Sequence, residues 1–156
     1  MRLALFQPDI PQNTGALMRI AACFRVALDV IEPCGFPFDD KRLKRTAMDY
    51  GPAAEVQRHL SWSRFLEAHR ERGGRLVLLT TAASLSHADL AYRPDDTLVL
   101  GRESAGVTPE VAAAADAAVR VPIAREQRSL NVAVAGAVVL TEALRQQGTF
   151  TGKTVL

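Results

Sequence analysis

Short, almost wholly apolar runs alternate along this chain with stretches in which apolar residues recur every three or four positions. Residues 3–6, 27–31, 76–79, 97–100 and 118–121 are runs of the first kind. Runs this short, bounded by Pro, Gly or Asp, predict strands buried on both faces. Between them, Ala16, Leu17, Ile20, Ala21 and Phe24 share one face of a helix that Thr14 is placed to cap. Ser63 is placed to cap a second helix that runs to about residue 72 and stops at Gly73-Gly74. Pro109 opens a third, to about residue 115. A short charged helix is expected over 39–47. A long apolar one is expected over 131–147, capped by Ser129 and stopped by Gly148. Strands separated by helices predict an α/β fold, a mostly parallel sheet flanked by helices, with residues 1–156 forming one domain. Ligands of such sheets bind outside the carboxyl ends of the strands, so the chemistry belongs in the loops that follow them.

Composition narrows the setting. Hydrophobic residues are 48% and charged residues 23%, which argues against a disordered chain. No run approaches the roughly 20 apolar residues of a membrane span. Residues 1–13 lack the apolar segment and cleavage site of a secretory leader, so a cytoplasmic protein without membrane partners is expected. Cys23 and Cys34 make no disulfide framework. His59, His69 and His87 have no His or Cys at ligand spacing, so no metal is expected. A formal charge of +2 does not by itself announce nucleic acid. However, residues 1–78 carry 12 basic and 9 acidic groups, net +3, against 7 and 8, net −1, in the remainder. The densest basic cluster is Lys41-Arg42-Leu43-Lys44-Arg45, either a solvated helix face or, in the sharper reading through Lys41, Arg42, Lys44 and Arg45, an RNA-phosphate contact.

Three loops carry candidate chemistry. Pro11-Gln12-Asn13-Thr14-Gly15 precedes the first helix, which bears Arg19. With Asn13 in the loop and Arg19 about one turn in, both could face one pocket; the alternative is a capped turn plus a surface arginine. Gly101-Arg102-Glu103-Ser104-Ala105-Gly106 lacks the Lys-Ser/Thr of a P-loop and the spacing of the dinucleotide fingerprint. Its glycines permit close backbone approach. Glu103 would repel a pyrophosphate and suits a cation or ribose hydroxyls; the alternative is a plain strand-to-helix turn. Pro122–Arg128 leads into Ser129-Leu130-Asn131. Ser129 has no neighbouring His and no Gly-x-Ser-x-Gly frame, which argues against a hydrolase.

Taken in order, Asn13-x-Gly15-x-x-x-Arg19, Leu100-Gly101-x-Glu103-x-x-Gly106, and Val121-Pro122 with Ser129-Leu130-Asn131 resemble the three motifs of the SpoU branch of the SPOUT RNA methyltransferases. Ile31-Glu32-Pro33, Gly35-Phe36, Asp39-Asp40-Lys41-Arg42-Leu43 and Asp49-Tyr50 are similar to its small tRNA (cytidine/uridine wobble) 2′-O-methyltransferase subfamily. The likeness runs from Leu3 to about Gly148. It departs at Val132-Ala133-Val134-Ala135-Gly136-Ala137, more apolar than the third motif's usual small polar residues.

The resemblance implies an α/β knot, with a deep trefoil knot near the C-terminus that binds S-adenosylmethionine. Leu79, Thr80, Leu100, Gly101, Glu103, Val121, Ile123, Ser129 and Leu130 would line that site, the backbone at Leu79, Gly101, Val121 and Leu130 holding adenine and ribose. Arg19 would activate or clamp the target 2′-hydroxyl. Asn13 would position Arg19 or the ribose, and Glu103, Ser129 and Asn131 would hold the arginine and the nucleotide. The implied substrate is the wobble nucleotide in the tRNA anticodon stem-loop, of leucine isoacceptors. Another tRNA position, ribosomal RNA or a non-catalytic RNA-binding role are the alternatives. A homodimer is implied too: the last helix (Val132, Val134, Ala135, Val138, Val139) is more apolar than one face needs, as a core helix or as an interface.

Overall fold

The computed structural model describes residues 1–37 and 55–150. In chain order these form β1 (Arg2–Phe6), α1 (Pro11–Phe24), β2 (Ala27–Ile31), β3 (Val56–His59), α2 (Trp62–Arg72), β4 (Leu76–Leu79), β5 (Thr97–Leu100), α3 (Pro109–Ala114), β6 (Ala117–Val119) and α4 (Val132–Gln146). The sheet order is β3-β2-β1-β5-β4-β6, and every pairing is parallel. The expected helix over 39–47, with its basic cluster, and residues 151–156 lie outside the described residues.

The two-residue period of the strands explains how the apolar runs are used. Leu3, Leu5, Leu28, Val30, Leu98 and Leu100 face α1 and α4, packing with Leu17, Val139 and Leu140. Ala4, Phe6, Ile31, Leu78 and Val99 face the other way, onto Trp62, Phe65 and Val111. Each fully buried Leu or Val contributes about 1.5–3 kcal/mol of transfer free energy. Gly136 of α4 brings that helix close to the sheet: a Cβ there would lie 3.0 Å from Leu17 Cδ2 and 3.1 Å from Leu100 Cδ1.

The helix starts differ from the sequence reading. α1 begins at Pro11 with Ile10 as its cap residue, making no side-chain cap. Proline at the first helical position lacks the N–H that would otherwise need a partner, which moves the start ahead of Thr14. Thr14 is buried inside the first turns. α2 is capped by Ser61, whose hydroxyl accepts from Arg64 N at 3.3 Å; Ser63 instead hydrogen-bonds Ser61 Oγ at 2.8 Å. α4 is capped by Asn131, whose Oδ1 accepts from Ala133 N at 2.9 Å and Val134 N at 3.3 Å, so Ser129 is not its cap. β6 ends at Val119, two residues short of the expected strand. β3 was not foreseen. It is an edge strand with two exposed positions, so its sequence shows little apolar run, and pairing to β2 creates it.

A charge sits inside the sheet. Asp29, in the middle of β2, is fully buried. It accepts from Arg2 Nε at 2.8 Å and Nη2 at 3.2 Å, from His59 Nε2 at 2.8 Å and from Arg72 Nη2 at 3.4 Å. Burial pushes its carboxyl up. The hydrogen bonds from Arg2 and His59, with the charges of Arg2 and Arg72, outweigh that and hold it below the usual carboxylate range.

The connection between β4 and β5 touches both the end of β6 and the end of α4. It pairs with the end of β6 through a Ser86–Arg120 bridge. At the far end of α4, Gln146 Oε1 accepts from Tyr92 N at 3.0 Å and Gln146 Nε2 donates to Leu90 O at 3.0 Å. Among the described residues, no helix is long and apolar enough to cross a membrane, and no group of three or more His, Cys, Asp or Glu side chains is placed to hold a metal.

Candidate functional site

The carboxyl ends of β4, β5 and β6 open into a cavity of about 550 Å³, closed by the first turn of α1 and the start of α4. Leu79 and Thr80 enter it from β4, and Leu100, Gly101 and Glu103 from β5. Val121 and Ile123 follow β6, and Ser129, Leu130 and Asn131 lead into α4. Asn13 completes the ring from α1. The parallel topology is what brings them together, because every strand delivers its following loop to the same edge.

Arg19 is the exception. Asn13 belongs to the first turn of α1, not to a loop before it. At 3.6 residues per turn, six residues place the two side chains roughly a third of a turn apart around the helix. Asn13 is 8% exposed and turned inward, and Arg19 lies on the exposed side of the helix. The two therefore do not face one cavity within the subunit.

The polar side of the site is a chain of hydrogen bonds. Asn131 Nδ2 donates to Asn13 Oδ1 at 2.9 Å, and Asn13 Nδ2 donates to Glu103 Oε1 at 3.0 Å. Glu103 Oε2 accepts from Asp9 N at 3.0 Å, and Glu103 N donates to Asp9 Oδ1 at 3.2 Å. Ser104 Oγ donates to Asp9 Oδ2. Asn131 thus caps α4 with its oxygen and orients Asn13 with its nitrogen. Asp9 is held down to about 2, first by hydrogen bonding to the Glu103 side chain, then by Ser104 and the backbone N–H groups, against the effect of burial. It stays ionised at working pH and pins the loop instead of moving protons.

That loop is tight. Arg102 and Gly106 exchange backbone hydrogen bonds at 2.9 Å in both directions. A Cβ at Gly101 would lie 2.7 Å from the carbonyl carbon of Gly106, and Gly106 has φ +67°. Both glycines are required by backbone proximity or handedness. The walls combine apolar side chains with Arg102, Arg120 and Arg128, and Glu103 is the only carboxylate among the described lining residues. Such a site suits a flat base between apolar walls, hydroxyls or a cation near Glu103, and anionic groups at the rim. No thiolate chemistry is offered. The half-buried Cys34 thiol is pushed up to about 11 by burial and by Glu32, against the opposing charge of Arg58.

Ile10, Thr81, Val107, Arg120, Arg128 and Asp9 escaped the sequence reading. Arg128 lies in a loop already singled out and Arg120 in the expected strand that leads into it, where their charge was a signal. Asp9 lies three residues past the end of β1 and carries an acid at the ligand edge. Ile10 and Val107 gave no signal, because a lone aliphatic residue in a loop looks like any other.

The chain matches known proteins closely. The SpoU rRNA Methylase family profile matches residues 1–141. A tRNA (cytidine(34)-2′-O)-methyltransferase of Beijerinckia indica is 53% identical over 146 residues, covering 94% of this chain and 91% of the relative. A solved structure concerned with 2′-OH methylation of C/U34 on tRNA superposes with a TM-score of 0.88 at 38% identity, covering 95% of this chain and 96% of that one. An AdoMet-bound rRNA methyltransferase from Sinorhizobium meliloti superposes with a TM-score of 0.84 at 28% identity, covering 92% of this chain and 55% of its own.

Proposed function

The chain belongs to the SpoU rRNA methylase family, and from that premise we propose that it methylates the ribose 2′-hydroxyl of the wobble nucleotide, position 34, of tRNA. The observation that carries this reading is one cavity at the carboxyl edge of the sheet, with Asn13, Glu103 and Asn131 hydrogen-bonded in series, in a chain 53% identical to an enzyme of that activity.

The cofactor is S-adenosylmethionine, and the cavity fits it. Leu79, Leu100, Val121, Ile123 and Leu130 offer apolar walls for the adenine. The missing Cβ at Gly101 lets Gly106 close against it and fixes the loop beside the cavity, and Glu103 suits ribose hydroxyls or a sulfonium. When bound, S-adenosylmethionine supplies a methyl group on a good leaving group. The protein's task is then to align the attacking oxygen and stabilise its developing charge. Asn13 and Asn131, locked to each other and to Glu103, orient the target ribose. A guanidinium is a cation at any working pH, so Arg19 acts as a clamp on the target phosphate and oxyanion, with a phosphate oxygen accepting the proton. Ser129 contacts the nucleotide at the cavity mouth.

Two further parts complete the proposal. The chain leading into α4 passes beneath the β4–β5 connection as a deep trefoil knot, in keeping with the contacts of residues 86–92 to both Arg120 and Gln146. The working unit is a homodimer. Val134, 50% exposed on α4, leaves apolar surface outside the core, and Arg19, on the exposed side of α1 and outside its own cavity, serves the cavity of the second subunit. The anticodon stem-loop lies across both subunits, with Lys41, Arg42, Lys44 and Arg45 on its phosphates and no metal involved.

Bulk tRNA lacking wobble 2′-O-methylation, incubated with the protein and labelled cofactor, is expected to carry label in 2′-O-methylcytidine or a 2′-O-methyluridine derivative at position 34 of leucine isoacceptors. Label at another tRNA position or in ribosomal RNA would reject the wobble assignment. Gly101→Ala is expected to weaken S-adenosylhomocysteine binding about tenfold in calorimetry, since overpacking costs on the order of 1–3 kcal/mol; unchanged affinity would mean the loop is not a cofactor wall.

A further inference from the structure

We propose that Arg102 is a binding residue for a backbone phosphate of the RNA beside the target nucleotide, held ready for it by Gln7 and Phe6. The proposal rests on the RNA-methylation reading and adds a contact to it.

Arg102 is half-buried on the cavity lining, between Gly101 and Glu103. Its guanidinium does not hang free. Nη2 donates to Gln7 Oε1, and Cζ sits 5.9 Å from the centroid of the Phe6 ring. Gln7 is itself fixed: it has φ +48°, and its N–H donates to Ile31 O at 2.8 Å. Phe6 is 3% exposed and packs edge-on against Trp62 at 5.8 Å. The backbone of Arg102 is clamped by its paired hydrogen bonds to Gly106. The side chain thus has little rotamer freedom left to lose on binding.

Among the described residues it has no counter-ion. No carboxylate of the described residues lies within ion-pair distance of Arg102, whereas Arg2, Arg58, Arg64, Arg72, Arg75 and Arg145 each have one. The neighbouring Glu103 is engaged by Asn13 and Asp9 N. A guanidinium has five donors; Gln7 occupies one position, and the remaining fork suits two oxygens of one phosphate. Gln7 and Phe6 fasten it to the β1 side of the cavity, whereas the apolar walls at Leu79, Val121 and Leu130 come from the end of β4, the loop after β6 and the approach to α4.

The test uses a full-length tRNA transcript with the wild type, Arg102→Ala, Arg102→Lys and Gln7→Ala. Methylation kinetics and filter binding would be measured between 50 and 200 mM KCl, with S-adenosylhomocysteine affinity by calorimetry. Arg102→Ala is expected to raise the tRNA KM about tenfold and to lower the slope of log affinity against log salt by about 1, with S-adenosylhomocysteine affinity within about twofold of wild type. Arg102→Lys should retain the salt slope and recover only part of the KM. Gln7→Ala should raise KM less, and add nothing once Arg102 is Ala. An unchanged KM and slope, or a loss confined to S-adenosylhomocysteine binding, would overturn the proposal, the latter assigning Arg102 to the cofactor. An Arg102-dependent salt slope without methylation at position 34 would reject the wobble reading alone. Methylation there with a slope indifferent to Arg102 would reject this contact alone.

Discussion

Arg19→Ala is expected to lose at least about 10²–10³-fold in kcat, the scale seen when one charge-stabilising donor is removed from an active site. S-adenosylhomocysteine affinity should stay within about twofold of wild type, because Arg19 stands on the outer side of α1 and does not line the cavity of its own subunit. The same position gives the experiment a second arm. If Arg19 serves a partner's cavity, mixing Arg19→Ala subunits with Gly101→Val subunits restores activity, because a mixed dimer holds one cavity that is intact together with one intact Arg19. If Arg19 works within its own subunit, every site in the mixture is broken and activity does not return. Loss of cofactor binding in Arg19→Ala would show that the residue has been misplaced altogether.

Asn at position 29 should destabilise the fold more than any change in the cavity. Asp29 is fully buried and pairs with the guanidinium groups of Arg2 and Arg72 on one carboxylate, which also accepts a hydrogen bond from His59. Removing one partner of a buried ion pair typically costs about 3–5 kcal/mol, since the other charges stay in the interior. That is a large share of the roughly 5–15 kcal/mol that holds a domain together, so the urea midpoint of Asp29→Asn should fall steeply.

The pH dependence separates charge from shape. Asp29 has a folded-state pKa below its ordinary value of 3.8. Its contribution is therefore fully present above pH of about 4 and is lost as pH falls through the folded value. The gap between wild type and Asp29→Asn should be constant at pH 6–7 and narrow as the solution is acidified below about 4. A gap that persists unchanged in acid would assign the effect to packing.

Much of this molecule was legible in the chain. Leu76–Leu79 and Thr97–Leu100 were read to the residue, because a central parallel strand buried on both faces needs an uninterrupted apolar run. The order of strands and helices implied a parallel sheet, and the rule that such sheets bind ligands at their carboxyl edge located the loops at 11–15, 101–106 and 122–131. Where the reading slipped, two local signals competed. Thr14, Ser63 and Ser129 are all competent caps by type. Ser61 and Asn131 took the role at α2 and α4, and α1 starts at Pro11 with no side-chain cap, because the path of the incoming backbone, and not residue preference, decides which side chain meets the open N–H groups. The edge strand β3 was invisible because pairing to β2, and not burial of its own side chains, holds it.

The sequence by itself determined the α/β class, the central strands, the family motifs and the residue types at the ligand edge, since each of these follows from local periodicity or from short spacings along the chain. Only the tertiary structure decided that Asn13 turns in while Arg19 turns out, that Asp9, Glu103, Asn13 and Asn131 form one hydrogen-bonded series, and that Arg102 is fastened to Gln7 and Phe6. The last two of these join residues about 90 to 118 positions apart. Contacts over such separations depend on how a parallel sheet orders its strands, and no local pattern records that order.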